Sequence, residues 1–207
     1  MHDLTPVVVQ LSRHDAPEAL DSALSSKRPL VLVAGLSAGG HVDWKPGAKA
    51  LLCYPMPVTG VLHGRVCGPA AGLMLACDVL VVTPRSSLCL TPSGHGEAVL
   101  LALRLGHGAA SRVWFAGGEL SARQAVRSGW AEMAKGSLAE ALESARDRYR
   151  GLSSEAITLL RPLLAHQAGL PLTQAQALER AAFALAFHTG HPAEGIAAFL
   201  EKRKTRF

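Results

Sequence analysis

The stretch from Pro57 to Thr83 constrains the fold more than any other part of this chain. It holds two short β-branched runs, at 58–62 and 79–83, separated by a glycine-rich turn and the apolar segment 70–77. Short apolar runs bounded by Gly or Pro are the mark of strands buried on both faces. With a helix-forming segment between them they make a β-α-β unit. Residues 7–9 (Val-Val-Val) and 30–33 (Leu-Val-Leu-Val) carry the same signature. Between those two runs lies a short amphipathic helix, 16–25, whose Leu20 and Leu24 stand four apart. Residues 86–90 can form one more strand.

From Gly96 onward the periodicity is almost entirely helical. Segments 97–105, 109–115, 121–128, 138–149, 153–166 and 173–187 read as helices, each ended by Gly or Pro. A last helix, 192–204, begins with Pro192 and Glu194 and ends in cations, as the helix dipole prefers. No linker or repeat interrupts the chain, so its 207 residues are expected to form one domain.

Charge and composition exclude several classes. The formal charge is +5, but the tail after Leu200 alone carries Lys202, Arg203, Lys204 and Arg206 against Glu201. Aromatics are 5% of residues and no basic stripe interleaves with them, so no nucleic-acid partner is expected. Cys53, Cys67, Cys77 and Cys89 lack the close pairs of zinc or redox motifs and are expected to be buried, reduced thiols. Nine histidines without a close-spaced metal pair point to no metal site. No basic segment followed by an apolar run opens the chain, and no apolar run approaches the roughly 20 residues of a membrane span. A soluble, cytoplasmic protein without a membrane partner is the expectation.

Three glycine-rich turns follow strands: 35–41, 63–72 and 91–97. Backbone N–H groups at strand ends and helix starts can be aimed at an anion without any side chain. The first two turns contain neither a Gly-Lys-Ser/Thr phosphate loop nor the G-x-G-x-x-G spacing of a dinucleotide site.

Taken in order, these segments resemble the crotonase (enoyl-CoA hydratase/isomerase) superfamily from about Pro29 to the C-terminus. The matching residues are Leu36-Ser37-Ala38-Gly39-Gly40, Pro57 to Gly64, Gly68 to Gly72, and Leu75-Ala76-Cys77-Asp78-Val79. To these are added Gly117 to Ala125 with Gly129-Trp130, and the terminal Glu194-Gly195-Ile196-Ala197-Ala198-Phe199-Leu200-Glu201-Lys202-Arg203-Lys204. The resemblance implies an α/β fold, with a crotonase-like β-β-α spiral core over 1–134 followed by C-terminal helices over 135–207. It also implies a homotrimer or hexamer.

For function, the resemblance implies that two backbone N–H groups bind the thioester carbonyl of an acyl-CoA or acyl-carrier-protein substrate and stabilise the adjacent enolate. Such donors are commonly worth about 3–4 kcal/mol each. They fall on Ala38, with Gly39 and His41 beside it, and on position 69. Residue 69 is proline and has no N–H. Either Gly68 or Ala70 donates instead, or the pocket has one donor, or it has none. The two glutamates that family hydratases use fall on Gly72 and approximately Pro92, so hydration by paired carboxylates is not expected.

What remains at the third turn is His95 and Glu97, read as the catalytic pair. An imidazole with pKa near about 6.5 suits proton delivery at neutral pH. The turn Thr91-Pro92-Ser93-Gly94-His95-Gly96 resembles that of the decarboxylating branch that acts in polyketide β-branching. The expected activity is therefore decarboxylation or double-bond isomerisation of an acyl thioester. No permanently bound cofactor is expected, the substrate being carried on CoA or a phosphopantetheine arm. The short stretch 41–57 implies an open pocket compatible with a carrier protein. The alternative is a degenerate crotonase fold that binds acyl groups or serves assembly.

Overall fold

The computed structural model describes residues 4–11, 15–35, 47–94, 96–166 and 169–207. Five parallel strands form the main sheet, in the order β1 (Val7–Gln10), β2 (Leu30–Ala34), β3 (Val58–Leu62), β5 (Val79–Val82), β8 (Ala131–Met133). A second sheet orders β4 (Arg65–Cys67), β6 (Ser87–Cys89) and β7 (Glu119–Ser121), with β4 parallel and β7 antiparallel to β6. The chain steps from β3 to β4 and from β5 to β6 within a few residues. The β3–β4 and β5–β6 turns thus each add a strand to both sheets before a helix returns the chain.

The crossover after β4 is α3 (Gly68–Ala76), of which residues 70–76 are all buried. Such a helix has no polar face and sits in the core. Side chains alternate across the main sheet. Leu30, Leu32, Val58, Leu62, Leu80 and Val82 join the larger core that contains α3. Val31, Val33, Val61 and Val81 instead meet Ala141 and Ala145 of α7 (Leu138–Asp147). The all-apolar strand runs follow from this covering of both faces.

The helices α1 (Ala16–Ser25), α4 (Glu97–Leu105), α5 (His107–Phe115) and α6 (Ala122–Arg127) lie where the sequence pattern placed them, within two residues. So do α8 (Ser154–His166) and α9 (Leu172–Ala186). Four elements had no periodic signal: α2 (Gly47–Cys53) and the three-residue strands β4, β7 and β8, of which β4 corrects the reading of 63–72 as a turn and β7 and β8 correct the expectation of an almost wholly helical chain after Gly96. Strands this short are specified by their ladder partners rather than by alternation.

The last helix, α10 (His191–Leu200), is also shorter than expected, and its terminal cations do not lie on its last turn. Lys202 adopts φ 53°, and Arg203 turns back to place Nη1 and Nη2 2.6 and 2.9 Å from the Glu194 carboxylate. The expectation of four buried thiols is corrected as well. Cys77 is buried, Cys67 and Cys89 are half-buried, and Cys53 is exposed. Among the described residues, no helix is long and apolar enough to cross a membrane.

Candidate active site

Parallel sheets present their loops together at the carboxyl ends of the strands. Ala34 at the end of β2 pairs with Leu62 at the end of β3, and Leu62 with Val82 at the end of β5. The chain therefore leaves β2, β3 and β5 at one edge, and the second glycine-rich turn begins there. Beneath them runs a polar chain. His63 Nδ1 lies 3.1 Å from Thr83 Oγ1, Thr83 lies 2.8 Å from Ser86 Oγ, and Ser86 donates to the Leu62 carbonyl at 2.8 Å. His63 is thus a support of this edge through its hydrogen bond.

The second turn becomes the start of α3. Gly68 takes φ 66°, a conformation that favours glycine, and turns the chain out of β4. Pro69 then occupies the first helical turn. A missing N–H costs nothing there, because the first-turn donors have no intrahelical acceptor. That leaves the N–H groups of Gly68, Ala70 and Ala71 as the donors of this helix end.

The third turn delivers Glu97. This carboxylate sits in the first turn of α4 yet is only 7% exposed, so it is a buried group rather than an acid on a solvated helix start. The Ser93 hydroxyl donates to its Oε1, and the Ser93 N–H to Oε2 at 3.3 Å. Its other neighbour is Gly72 on α3. A Cβ built on Gly72 would lie 3.3 Å from Glu97 Oε1 and 3.6 Å from its Cγ. The missing side chain at Gly72 is the space that Glu97 occupies. A carboxylate thus stands two residues along α3 from Ala70, about 3 Å in helix rise.

Of the predicted site residues, Gly68, Pro69, Ala70 and Glu97 converge on this corner. Ala38, Gly39, His41 and His95 lie outside the described residues. Ser93 was missed as a site residue, although its place four residues before an acidic residue at a helix start was a usable signal. Gly72 was read only as a lost glutamate, because nothing in one strand of text shows which side chain will fill a gap.

Buried polar groups fix the opposite end of the strands and of α3. Arg161, 6% exposed on α8, pairs Nε with Asp78 Oδ2 at 2.8 Å and donates to the Leu51 carbonyl at 2.8 Å. Asp78 also accepts from the Val58 N–H at 2.8 Å. Arg104 caps the other end of α3 through the Leu75 and Ala76 carbonyls at 3.0 and 3.2 Å. Burial raises the Cys77 thiol well above its ordinary range, so this sulfur is a packing group.

Two sheets joined by β-β-α turns, with a helix N-terminus at the shared strand edge, define the crotonase fold. Residues 41–207 match the family Enoyl-CoA hydratase/isomerase. A Thermus thermophilus relative, provisionally named enoyl-CoA hydratase, is 32% identical over 162 residues, covering 74% of this chain and 64% of its own length. The crotonyl-CoA hydratase of Syntrophomonas wolfei is 26% identical over 160 residues, 73% of this chain and 61% of its own. The chain thus spans less than two-thirds of the length of these relatives. Among solved structures, the Bacillus anthracis enoyl-CoA hydratase superposes with a TM-score of 0.84 at 20% identity, covering 100% of this chain and 96% of the other. That of a Polaromonas species gives 0.78 at 23% identity, with 100% and 97% covered. At those identities the structures speak to the fold alone. The chain belongs to the enoyl-CoA hydratase/isomerase family.

Proposed function

We propose that this protein binds an acyl thioester, on CoA or on the phosphopantetheine arm of a carrier protein, and moves a proton on an enolate held at the start of α3. The observation that carries the reading is the buried Glu97 carboxylate seated on Gly72, beside the free-ended N–H groups of α3. Backbone donors there polarise the thioester carbonyl and accept its developing negative charge. With Pro69 unable to donate, Gly68, Ala70 or Ala71 supplies the donor at α3, and Ala38 is the candidate for the second.

One carboxylate is enough to carry a proton between the two ends of an allylic system, so double-bond isomerisation fits Glu97 directly. Decarboxylation, in polyketide assembly or elsewhere, needs only the enolate sink and one proton donor, a role for His95. The relatives named hydratases keep water addition in view as a third product. The fold's second reading, an acyl-binding or assembly module without turnover, rests on Pro69. Exposed apolar side chains on the C-terminal helices, Phe183, Phe187, Phe199 and Leu200 among them, support a homotrimer or hexamer.

The test is a mass-spectrometric assay of acyl-CoA and acyl-carrier-protein thioesters for loss of CO₂, gain or loss of water, or double-bond movement. Glu97→Gln should lower turnover on the order of 10²–10⁴-fold with thioester binding retained. His95→Ala should do the same for decarboxylation. Unchanged turnover in a variant removes that residue from the mechanism, and no product from any thioester favours the binding module.

A further inference from the structure

The outer face of the small sheet carries a pair of thiols that the reaction above does not use. In β4 and β6 the central residues Val66 and Leu88 are each 1% exposed and point into the core. Alternation therefore turns Arg65, Cys67, Ser87 and Cys89 to the opposite face. Cys67 and Cys89 are direct partners in the parallel ladder. Neighbouring strands lie about 4.8 Å apart, within the roughly 4.4–6.8 Å between Cα atoms that a disulfide spans. Both thiols are half-buried and remain reachable.

Arg65 acts on both sulfurs, but its hydrogen bond goes to Cys67. Arg65 Nη1 lies 3.5 Å from Cys67 Sγ, and Cys67 is the residue that leads the chain into α3. Arg65 is itself oriented by Glu119 on β7, at 3.6 Å, and Glu119 accepts from Ser87 at 2.9 Å. Burial and the neighbouring Cys67 thiol push the Cys89 thiol up to about 11, which keeps its proton in place. Cys67 has the attacking position and Cys89 the resolving one.

We propose that Cys67 and Cys89 form a reversible thiol–disulfide site that reacts with low-molecular-weight disulfides and fixes the β4–α3 corner when oxidised. The Cys67 thiolate attacks one sulfur of the small disulfide, the S–S bond breaks, and one small thiolate leaves. Cys89 gives up its proton to solvent and attacks the Cys67 sulfur of the mixed disulfide, expelling the second small thiolate. The protein pair is oxidised by two electrons and the small disulfide is reduced to two thiols, so the balance closes without another reactant. The crosslink joins the residue just before Gly68 to strand β6, which makes the oxyanion corner the element that feels the change. The site stands independently of which thioester reaction the protein performs.

The experiment treats the folded full chain with glutathione disulfide and reads the products by intact-mass and non-reducing peptide mass spectrometry. The expected result is loss of two hydrogens with a peptide linking Cys67 to Cys89, reversed by excess glutathione. Exposed Cys53 reports that the oxidant is active, since it should take a simple glutathione adduct. Cys89→Ser should trap glutathione on Cys67, raising that adduct about tenfold or more over the wild-type chain, where resolution removes it. Separate stable adducts on both residues of the wild-type chain, disulfides only between chains, or no change at either sulfur while Cys53 reacts would each overturn the proposal. The wild-type measurement decides the matter even if a serine variant fails to fold.

Discussion

Gly72→Ala is a substitution that ordinary helix energetics would call favourable and that this structure predicts to be harmful. Alanine in a helix interior is better than glycine by about 0.8–1.0 kcal/mol. At this position the new Cβ would stand 3.3 Å from Glu97 Oε1, closer than a carboxylate held in place accepts. Glu97 is pinned by both the hydroxyl and the N–H of Ser93. Displacing it forfeits hydrogen bonds to a charged group, worth about 1.5–3 kcal/mol. The net expectation is a loss of about 0.5–2 kcal/mol, which for a chain of this length lowers Tm by about 2–4 °C per kcal/mol. In a Glu97→Ala background the obstruction is gone, and the same substitution should stabilise by about 1 kcal/mol. The cycle of four proteins, unfolded in urea and followed by tryptophan fluorescence, should therefore give a coupling of about 1.5–3 kcal/mol. A coupling below about 0.5 kcal/mol would mean additive sites, and would refute the claim that Glu97 fills the space over Gly72.

Three further outcomes follow from packing and ion pairs elsewhere in the fold. Gly60→Ala would drive a Cβ to within 2.4 Å of Leu80 Cδ2 and 3.0 Å of Met74 Sδ, so overpacking should cost about 1–3 kcal/mol in urea unfolding, and a neutral variant would count against that packing. Arg161→Met strands Asp78 and the Leu51 carbonyl; because Asp78 is 31% exposed, the loss should be about 2–4 kcal/mol rather than a fully buried pair's 3–5, again measured in urea. Arg203 and the Arg206 N–H hold the Glu194 carboxyl down from 4.5 to about 2. A depressed carboxyl contributes above its unfolded value and loses that contribution as pH falls through its folded one, so the tail should stay docked at pH 4.5 and release only toward about pH 2. The carboxyl-carbon NMR shift of Glu194 tracks this directly, and a midpoint near 4.5 would remove the interaction.

The sequence by itself determined the parts that rest on local chemistry. Runs such as Leu30 to Val33 are apolar at every position, so they must be covered on both sides, and the structure covers them with α3 on one face and α7 on the other. Gly68 and Pro69 likewise announce a turn into a helix start, and the proline's missing donor is a fact of covalent structure. The ordered motifs carried the family. Where the signal lay in pairing rather than in periodicity, the text was silent. β7 and β8 are strands only because β6 and β5 lie beside them, and Cys67 meets Cys89 only through the ladder of β4 with β6. The tail cations were read as a dipole complement because sequence distance hides the return of Arg203 to Glu194.

What only the tertiary structure shows is where Glu97, a candidate from the third turn, comes to rest. Read along the chain, Gly72 is a vacancy and Glu97 a first-turn acid on another helix, twenty-five residues away. Packed together they are one feature, because the side chain that α3 lacks is the volume that α4 fills. Sequence fixes which groups a chain possesses. Which of them share a few ångströms of dry space is set by how its helices pack, and at Gly72 that packing seats a carboxylate where a side chain would have been.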